Sequence, residues 1–378
     1  MKKEILFIMP CLIGGGAEKV LIDILRNFDY DRYSVTLILD YKHGTYLKDV
    51  PQEVELISVH GPTNIWHERL NRISSEHGLF MPLHKWVYGT IMRWKLRGRK
   101  FDTIISFMEG DAVKYHSYIT RKAKRNLSWV HIDLEKKHWS KDFFKNDADE
   151  IAAYQAMDNI VFVSEDARRS MYKLFPSLDI AKSRVVYNLI DAENVRQLSE
   201  IKTIFKKKFT ICMTGRLNPQ KRYDRALEAM KMLKDDGYDF ELWILGEGSE
   251  EAKLKEITNN LGIENHVKFL GFQRPPYPYM KEADIYLNTS EAEGYPLVVC
   301  EAMCLGLPVV ATDICGSREI LKNNDCGMLV EESPEAIYKG IKTLLDNAEL
   351  REEMKGKALL ASKNFEVSNV MDQIYDLL

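Results

Sequence analysis

The segment Glu291-Ala-Glu-Gly-Tyr-Pro-Leu-Val-Val-Cys-Glu301 sets two carboxylates, Glu293 and Glu301, around a turn that opens a helix. It follows the apolar run DIYLNTS, which reads as a strand. Pro296 suits the first helical turn, where its missing N–H costs nothing. The amides of Gly294, Leu297 and Val298 are then expected to point out of a helix N-terminus and form an anion site. An acid beside an anion site makes sense if it accepts hydrogen bonds from hydroxyls attached to that anion. A nucleotide sugar offers this arrangement: diphosphate for the amides, sugar hydroxyls for one carboxylate and ribose hydroxyls for the other. The spacing equally describes a capped helix with a solvated glutamate, so this segment alone leaves both readings open.

A second segment, Thr214-Gly-Arg-Leu-Asn-Pro-Gln-Lys-Arg222, closes another strand and precedes a helix over 224–233. Arg216 and Lys221 are placed where a pyrophosphate would arrive, Arg with a planar fork and Lys as a point charge. They could neutralise charge growing on a diphosphate leaving group, in place of a metal; an ordinary basic loop is the alternative. Gly14-Gly-Gly-Ala-Glu-Lys19 would let backbone approach a ligand at Gly16. With Asp40 ending the second strand it has a dinucleotide-binding look, but Lys19 stands where the third glycine belongs. His131, in Ser128-Trp-Val-His-Ile-Asp133, ends a strand and is either structural or catalytic. Gly246, Gly248, Gly271 and Phe272 end two further strands, where backbone contacts to ribose and base are expected.

These residues must be positioned by short apolar runs alternating with helical stretches. Ile5–Met9, Ser34–Asp40, Val54–His60, Asp102–Met108, Leu127–Ile132 and Asn159–Ser164 form one series of strands. After Val185–Asn188 comes a polar stretch ending in Lys206-Lys207-Lys208. A second series then follows: Phe209–Thr214, Glu241–Leu245, Val267–Leu270, Asp284–Asn288 and Pro308–Ala311. This is the βαβ rhythm of parallel sheets, and it predicts an α/β chain of two Rossmann-like domains meeting at a cleft. The expected boundaries are 1–190 and 191–363, with a helix over about 364–378 returning to the first domain. At 378 residues, 45% of them hydrophobic, the chain has material for two cores. A net charge of −3 argues against a nucleic-acid binder. The six cysteines form no CxxC pair and read as buried thiols. The short apolar start reads as a strand rather than a signal peptide, and no run approaches a membrane span. A cytoplasmic address is therefore expected.

The order GGAEK (15–19), His131, GRLNPQK (215–221), LGEG (245–248), FLGF (269–272) and EGYPLVVCEAMCLGLPVVAT (293–312) resembles glycosyltransferase family 4, retaining enzymes of the GT-B fold. The resemblance runs along essentially the whole chain. It implies a hexosyltransferase that moves a sugar from a nucleotide sugar, with UDP favoured, to a hydroxyl of a glycan acceptor, for example one linked to undecaprenyl diphosphate in bacterial surface polysaccharide assembly. It implies that Arg216 and Lys221, in the turn beginning at Gly215, bind the donor diphosphate. Glu301 would bind the ribose, and Glu293 with the Gly294, Tyr295, Pro296 and Leu297 backbone would bind sugar and phosphate. Gly16 would approach the phosphates, Gly246 and Phe272 would contact the nucleoside, and His131 would lie beside the anomeric centre. Two departures stand out: Arg222, where the family commonly has glycine, and Cys315-Gly-Ser. A nucleotide-sugar epimerase or hydrolase on the same scaffold, or a non-catalytic sugar-nucleotide binder, is the competing reading.

No cofactor and no metal are expected. Asp29-Tyr-Asp31 and Asp147-Ala-Asp149 match the Asp-x-Asp pattern of metal-dependent transferases but read as solvated turns. Between Glu76 and Asp102 there is no acidic residue. Lys85, Trp86, Arg93, Trp94, Lys95, Arg97, Arg99 and Lys100 there mix aromatic and basic character. Such a helix suits an anionic membrane surface, or it packs on the first domain with a solvated basic side. The family resemblance favours contact with the inner face of the cell membrane, near the acceptor.

Overall fold

The computed structural model describes residues 1–59, 89–322, 325–363, 365 and 367–378. The chain divides into two compact units, Met1–Leu189 with Ser368–Leu378, and Ile190–Val367.

In the first unit, strands β1 (Lys3–Met9), β2 (Tyr33–Leu39), β3 (Glu55–Ser58), β4 (Phe101–Ser106), β5 (Ala123–Val130), β6 (Asn159–Phe162) and β7 (Ser183–Val185) form one sheet in the order β3-β2-β1-β4-β5-β6-β7. Every adjacent pair is parallel. Central strands read as unbroken apolar runs because both faces are covered: Ile5, Leu6, Phe7, Ile8 and Met9 are all buried. The C-terminal helix Val367–Leu377 closes this unit. Its Tyr375 ring stacks on Tyr33 with centroids 5.3 Å apart, and its hydroxyl accepts from the Asp29 amide at 2.8 Å. The hydroxyl of Thr103 donates to the carbonyl of Leu378 at 3.2 Å.

The second unit repeats the plan with β8 (Phe209–Thr214), β9 (Phe240–Leu245), β10 (Val267–Phe269), β11 (Ile285–Asn288), β12 (Val309–Thr312) and β13 (Met328–Val330), ordered β10-β9-β8-β11-β12-β13 and again parallel. The helix Tyr223–Asp235 covers one face and buries Ala226, Leu227, Met230 and Leu233 against Ile211, Leu242 and Ile285. Each sheet reverses direction of winding once, between β1 and β4 and between β8 and β11. Loops leaving such a switch point diverge and leave a crevice at the carboxyl ends of the strands.

Two strands were not anticipated, β7 and β13. Each has three residues and stands at a sheet edge, and all of β13 is only half-buried. β7 is Ser-Arg-Val with a single apolar residue, and the Met-Leu-Val of β13 is too short an apolar run to mark a strand by itself.

Candidate donor site at the switch point of the second sheet

The turn after β8 and the turn after β11 leave neighbouring strands and are tied to each other. The amide of Glu291 donates to the Gln220 carbonyl at 3.0 Å, and the Gln220 side chain donates to the Ala292 carbonyl at 2.6 Å. The Thr289 hydroxyl lies 2.9 and 3.0 Å from the carbonyls of Lys221 and Arg222. Asn218 caps the short helical turn Pro219–Lys221 through the Lys221 amide. Held this way, the Lys221 ammonium contacts Oε1 of Glu293, which also accepts from the Ser290 hydroxyl at 3.0 Å. Both side chains of that pair are largely shielded, 19% and 16% exposed. Arg216 is exposed, and among the described residues its side chain carries no ion pair. The structure thus brings Lys221, Glu293 and the 294–297 turn together, with Arg216 on the same turn as Lys221.

The helix runs from Leu297 to Cys304. Pro296 is its N-cap, extended at φ −69° and ψ 100°, so it sits one place before the helical turn in which it was expected. Gly294, Tyr295, Pro296 and Leu297 are buried, as is Glu301, which accepts from the Tyr277 hydroxyl at 3.0 Å. Arg222 adopts a left-handed backbone, φ 50° and ψ 44°. Glycine takes that conformation without a Cβ penalty, which accounts for glycine being common at this position in the resembled family. Here the guanidinium holds the conformation by pairing with Asp224 at 2.8 Å and Glu291 at 3.3 Å.

At Gly246 the neighbouring turn approaches so closely that only glycine fits, since a Cβ there would fall 1.9 Å from the Gly215 carbonyl oxygen. Gly215 donates to the Leu245 carbonyl at 3.0 Å, Gly246 to the Gly271 carbonyl at 2.8 Å, and Leu217 to the Glu247 carbonyl at 2.9 Å. Phe272 is half exposed, and its amide donates to the Glu247 carboxylate at 3.3 Å. Gly316 supports the 294–296 turn from the side of β12: a Cβ there would lie 2.5 Å from the Gly294 carbonyl oxygen.

In the first unit the carboxyl edge is acidic. Glu18 caps the helix Gly16–Arg26 by accepting from the Gly15 amide, leaving Gly16 exposed at the helix start. Lys19 pairs with Asp23 at 2.7 Å. His131 follows β5; its amide donates to Glu109 at 3.0 Å, and its ring packs 4.9 Å from Phe107. The enclosed Nε2 has no hydrogen-bond partner among the described residues. Burial, only partly opposed by a hydrogen bond with the Phe107 backbone, pushes the imidazole down to about 3, so the ring is neutral at physiological pH. The other oxygen of Glu109 accepts from the Trp139 indole at 3.1 Å. Burial pushes the Glu109 carboxyl up, and burial with the neighbouring Asp40 pushes Asp111 up to about 7. Glu109 and Asp111 were not anticipated as site candidates. The signal was present, since Glu109-Gly-Asp111 lies in the turn that follows β4, just beyond Phe107 and Met108, at the first switch point.

Of the basic segment, Lys85 and Trp86 lie outside the described residues. Met92 and Leu96 are buried against Phe101 and Ile104, whereas Arg93, Arg97 and Lys100 face outward and Trp94 is 70% exposed. Arg99 is turned onto Glu55 at 2.8 Å, and Lys95 is half-buried. Asp149 of the second Asp-x-Asp pair holds Lys114 at 2.6 Å, and Asp29 of the first accepts from the amides of Asp31 and Arg32. No described helix is long and apolar enough to cross a membrane.

The turn bearing Arg216 and Lys221 thus stands beside the Glu293-x7-Glu301 helix start, at the switch point of a parallel sheet. Residues 194–359 match the family Glycosyl transferases group 1. Over 192 residues, half of this chain and 52% of the relative, the chain is 34% identical to an N-acetylgalactosaminyltransferase of Campylobacter jejuni that acts on N-acetylgalactosamine-N,N'-diacetylbacillosaminyl-diphospho-undecaprenol. That match therefore spans about half the relative's length. An uncharacterised glycosyltransferase of Haemophilus influenzae is 27% identical over 99% of both chains. Among solved structures, HepE of Anabaena in complex with UDP superposes at a TM-score of 0.75, with 21% identity, over all of this chain and 99% of its own. TarM of Staphylococcus aureus gives 0.77 with 14% identity over all of this chain and 99% of its own. Likenesses this distant establish the fold, two parallel-sheet α/β domains of the GT-B class.

Proposed function

We propose that the chain is a retaining glycosyltransferase that moves a hexose or N-acetylhexosamine from UDP to a hydroxyl of a lipid-linked glycan. The observation that carries this reading is the contact of Lys221 with Glu293 beside the start of the Leu297–Cys304 helix. Arg216 and Lys221 neutralise the departing diphosphate, the amides of the 294–297 turn bind its oxygens, and Glu301 takes the ribose hydroxyls. Preorganised charge of this kind lowers the barrier because it need not reorient during reaction. Glu293 accepts from a sugar hydroxyl once the diphosphate draws Lys221 away from it. His131, neutral across the working pH range, serves the sugar as an uncharged hydrogen-bonding group, a role carried over from the family resemblance. The acceptor hydroxyl attacks from the face the diphosphate leaves, and its proton passes to the diphosphate, so no covalent nucleophile is required. The two cations take the part a metal plays elsewhere.

The test is transfer from UDP-glucose, UDP-N-acetylglucosamine and UDP-N-acetylgalactosamine to a prenyl-diphosphate-linked glycan, with and without EDTA. Expected is acceptor-dependent UDP release, an α-linked product and no loss with chelator. UDP release without acceptor would make the protein a hydrolase, and binding without turnover a sugar-nucleotide binder.

Supported by the outward Trp94, Arg93, Arg97 and Lys100, the reading extends to an anionic membrane surface. Each cation near such a surface contributes about 1 kcal/mol. Arg93→Gln with Arg97→Gln is therefore expected to weaken binding to phosphatidylglycerol vesicles about thirtyfold in sedimentation. Equal binding to neutral and anionic vesicles would overturn this part.

A further inference from the structure

Glu301 is 3% exposed, and a carboxylate so enclosed needs donors fixed in place. One is the hydroxyl of Tyr277, itself 4% exposed, which donates to Oε1 at 3.0 Å. Tyr277 begins the helix Tyr277–Glu282, directly after the segment 271–276. That segment is anchored at its start: the Gly271 carbonyl accepts from the Gly246 amide at 2.8 Å, and the Gln273 side chain donates to the Leu270 carbonyl at 2.6 Å. Phe272, which the family resemblance implies contacts the nucleoside, lies on it. One side chain therefore joins the segment meeting the base to the carboxylate meeting the ribose.

We infer that Tyr277 is a positioning residue for nucleoside recognition, holding the Glu301 carboxylate in the one orientation that accepts from the ribose hydroxyls. The inference rests on the donor-site reading, in which Glu301 takes the ribose. A tyrosine suits the task because its ring is locked by packing with only two rotatable bonds. Its O–H to a charged acceptor is also stronger than a neutral hydrogen bond. Without it the carboxylate keeps its charge but loses one of its fixed donors, so more of the ligand's binding energy goes into ordering it.

The experiment is calorimetric titration of UDP, GDP and ADP and of their 2′,3′-dideoxy forms into wild type, Tyr277→Phe and Glu301→Ala. For whichever nucleotide binds, Tyr277→Phe is expected to raise Kd roughly three- to tenfold. The dideoxy Kd should stay within error, while the ligand-free melting temperature should fall by a few degrees as the enclosed carboxylate loses one donor. Glu301→Ala should show a larger loss, likewise confined to the nucleotide with its hydroxyls. If Glu301→Ala behaves so but Tyr277→Phe loses nothing, or loses both ligands equally, the positioning role is overturned and the donor site stands. If Glu301→Ala weakens both forms equally, or no nucleotide binds, the donor-site reading fails and takes the proposal with it.

Discussion

Lys221→Ala and Glu293→Ala are each expected to lower acceptor-dependent transfer at least a hundredfold, measured as kcat/KM with a saturating glycan acceptor. Removing one preorganised group from a charge-stabilising site costs a factor on that order in other enzymes. Here the ammonium and the carboxylate are both shielded from water and in contact. Deleting the lysine removes a cation from the diphosphate and leaves Glu293 with the Ser290 hydroxyl. Deleting the glutamate frees the lysine but removes the acceptor for the sugar. Because the two act on one leaving group and one sugar, the double variant should be little worse than either single. Lys221→Arg should not restore the rate, since a planar fork does not replace a compact ammonium beside Glu293. Breaking this largely shielded pair costs more than the roughly 1 kcal/mol of an exposed pair and less than the roughly 3–5 kcal/mol of a fully buried one, so the variants should remain folded by circular dichroism. Rates within threefold of wild type in either single variant would place the reacting groups elsewhere.

Gly316→Ala and Gly246→Ala, each combining a positive φ with a backbone clash, should both be strongly disruptive in the second unit. At Gly316, φ is +81° and the added Cβ would lie 2.5 Å from the Gly294 carbonyl oxygen and 2.9 Å from Pro296 Cδ. At Gly246, φ is +153° and the Cβ would fall 1.9 Å from the Gly215 carbonyl oxygen. The obstruction is backbone in both cases, so no side chain can swing aside. Strain and overpacking together are expected to cost about 3 kcal/mol or more, and nucleotide affinity should fall because the displaced turns are those of the proposed donor site. Gly237→Ala separates the two causes. Its φ is +82° but nothing lies within 4 Å, so it should show the backbone penalty alone, about 1 kcal/mol. Chemical denaturation of the three variants checks this. Gly316→Ala no worse than Gly237→Ala would mean the 294–296 turn yields easily and is not preorganised.

Much of the fold was legible because local physics decides it. Apolar runs buried on two faces marked the central strands of both sheets, and glycines and prolines marked where those strands stop. The edge strands Ser183–Val185 and Met328–Val330 escaped because one offers a single apolar residue and the other an apolar run of only three. The left-handed Arg222 was visible only as a departure from a familiar pattern, since backbone sign is not written in residue type. Its reason came from the ion pairs with Asp224 and Glu291.

The chemical content of the site was carried by composition within single turns: two cations after one strand, two glutamates flanking a helix start after another. Those follow from sequence because a turn and the first residues of a helix are made by neighbours in the chain. Tertiary structure decided which turns meet. Lys221 and Glu293 are 72 residues apart, and they touch because the second sheet places β8 beside β11. It also decided which groups are charged. Nothing in the types of His131 or Asp111 sets one imidazole near 3 and one carboxyl near 7. Those values come from water excluded by elements distant in sequence, because the cost of a charge depends on everything packed around it.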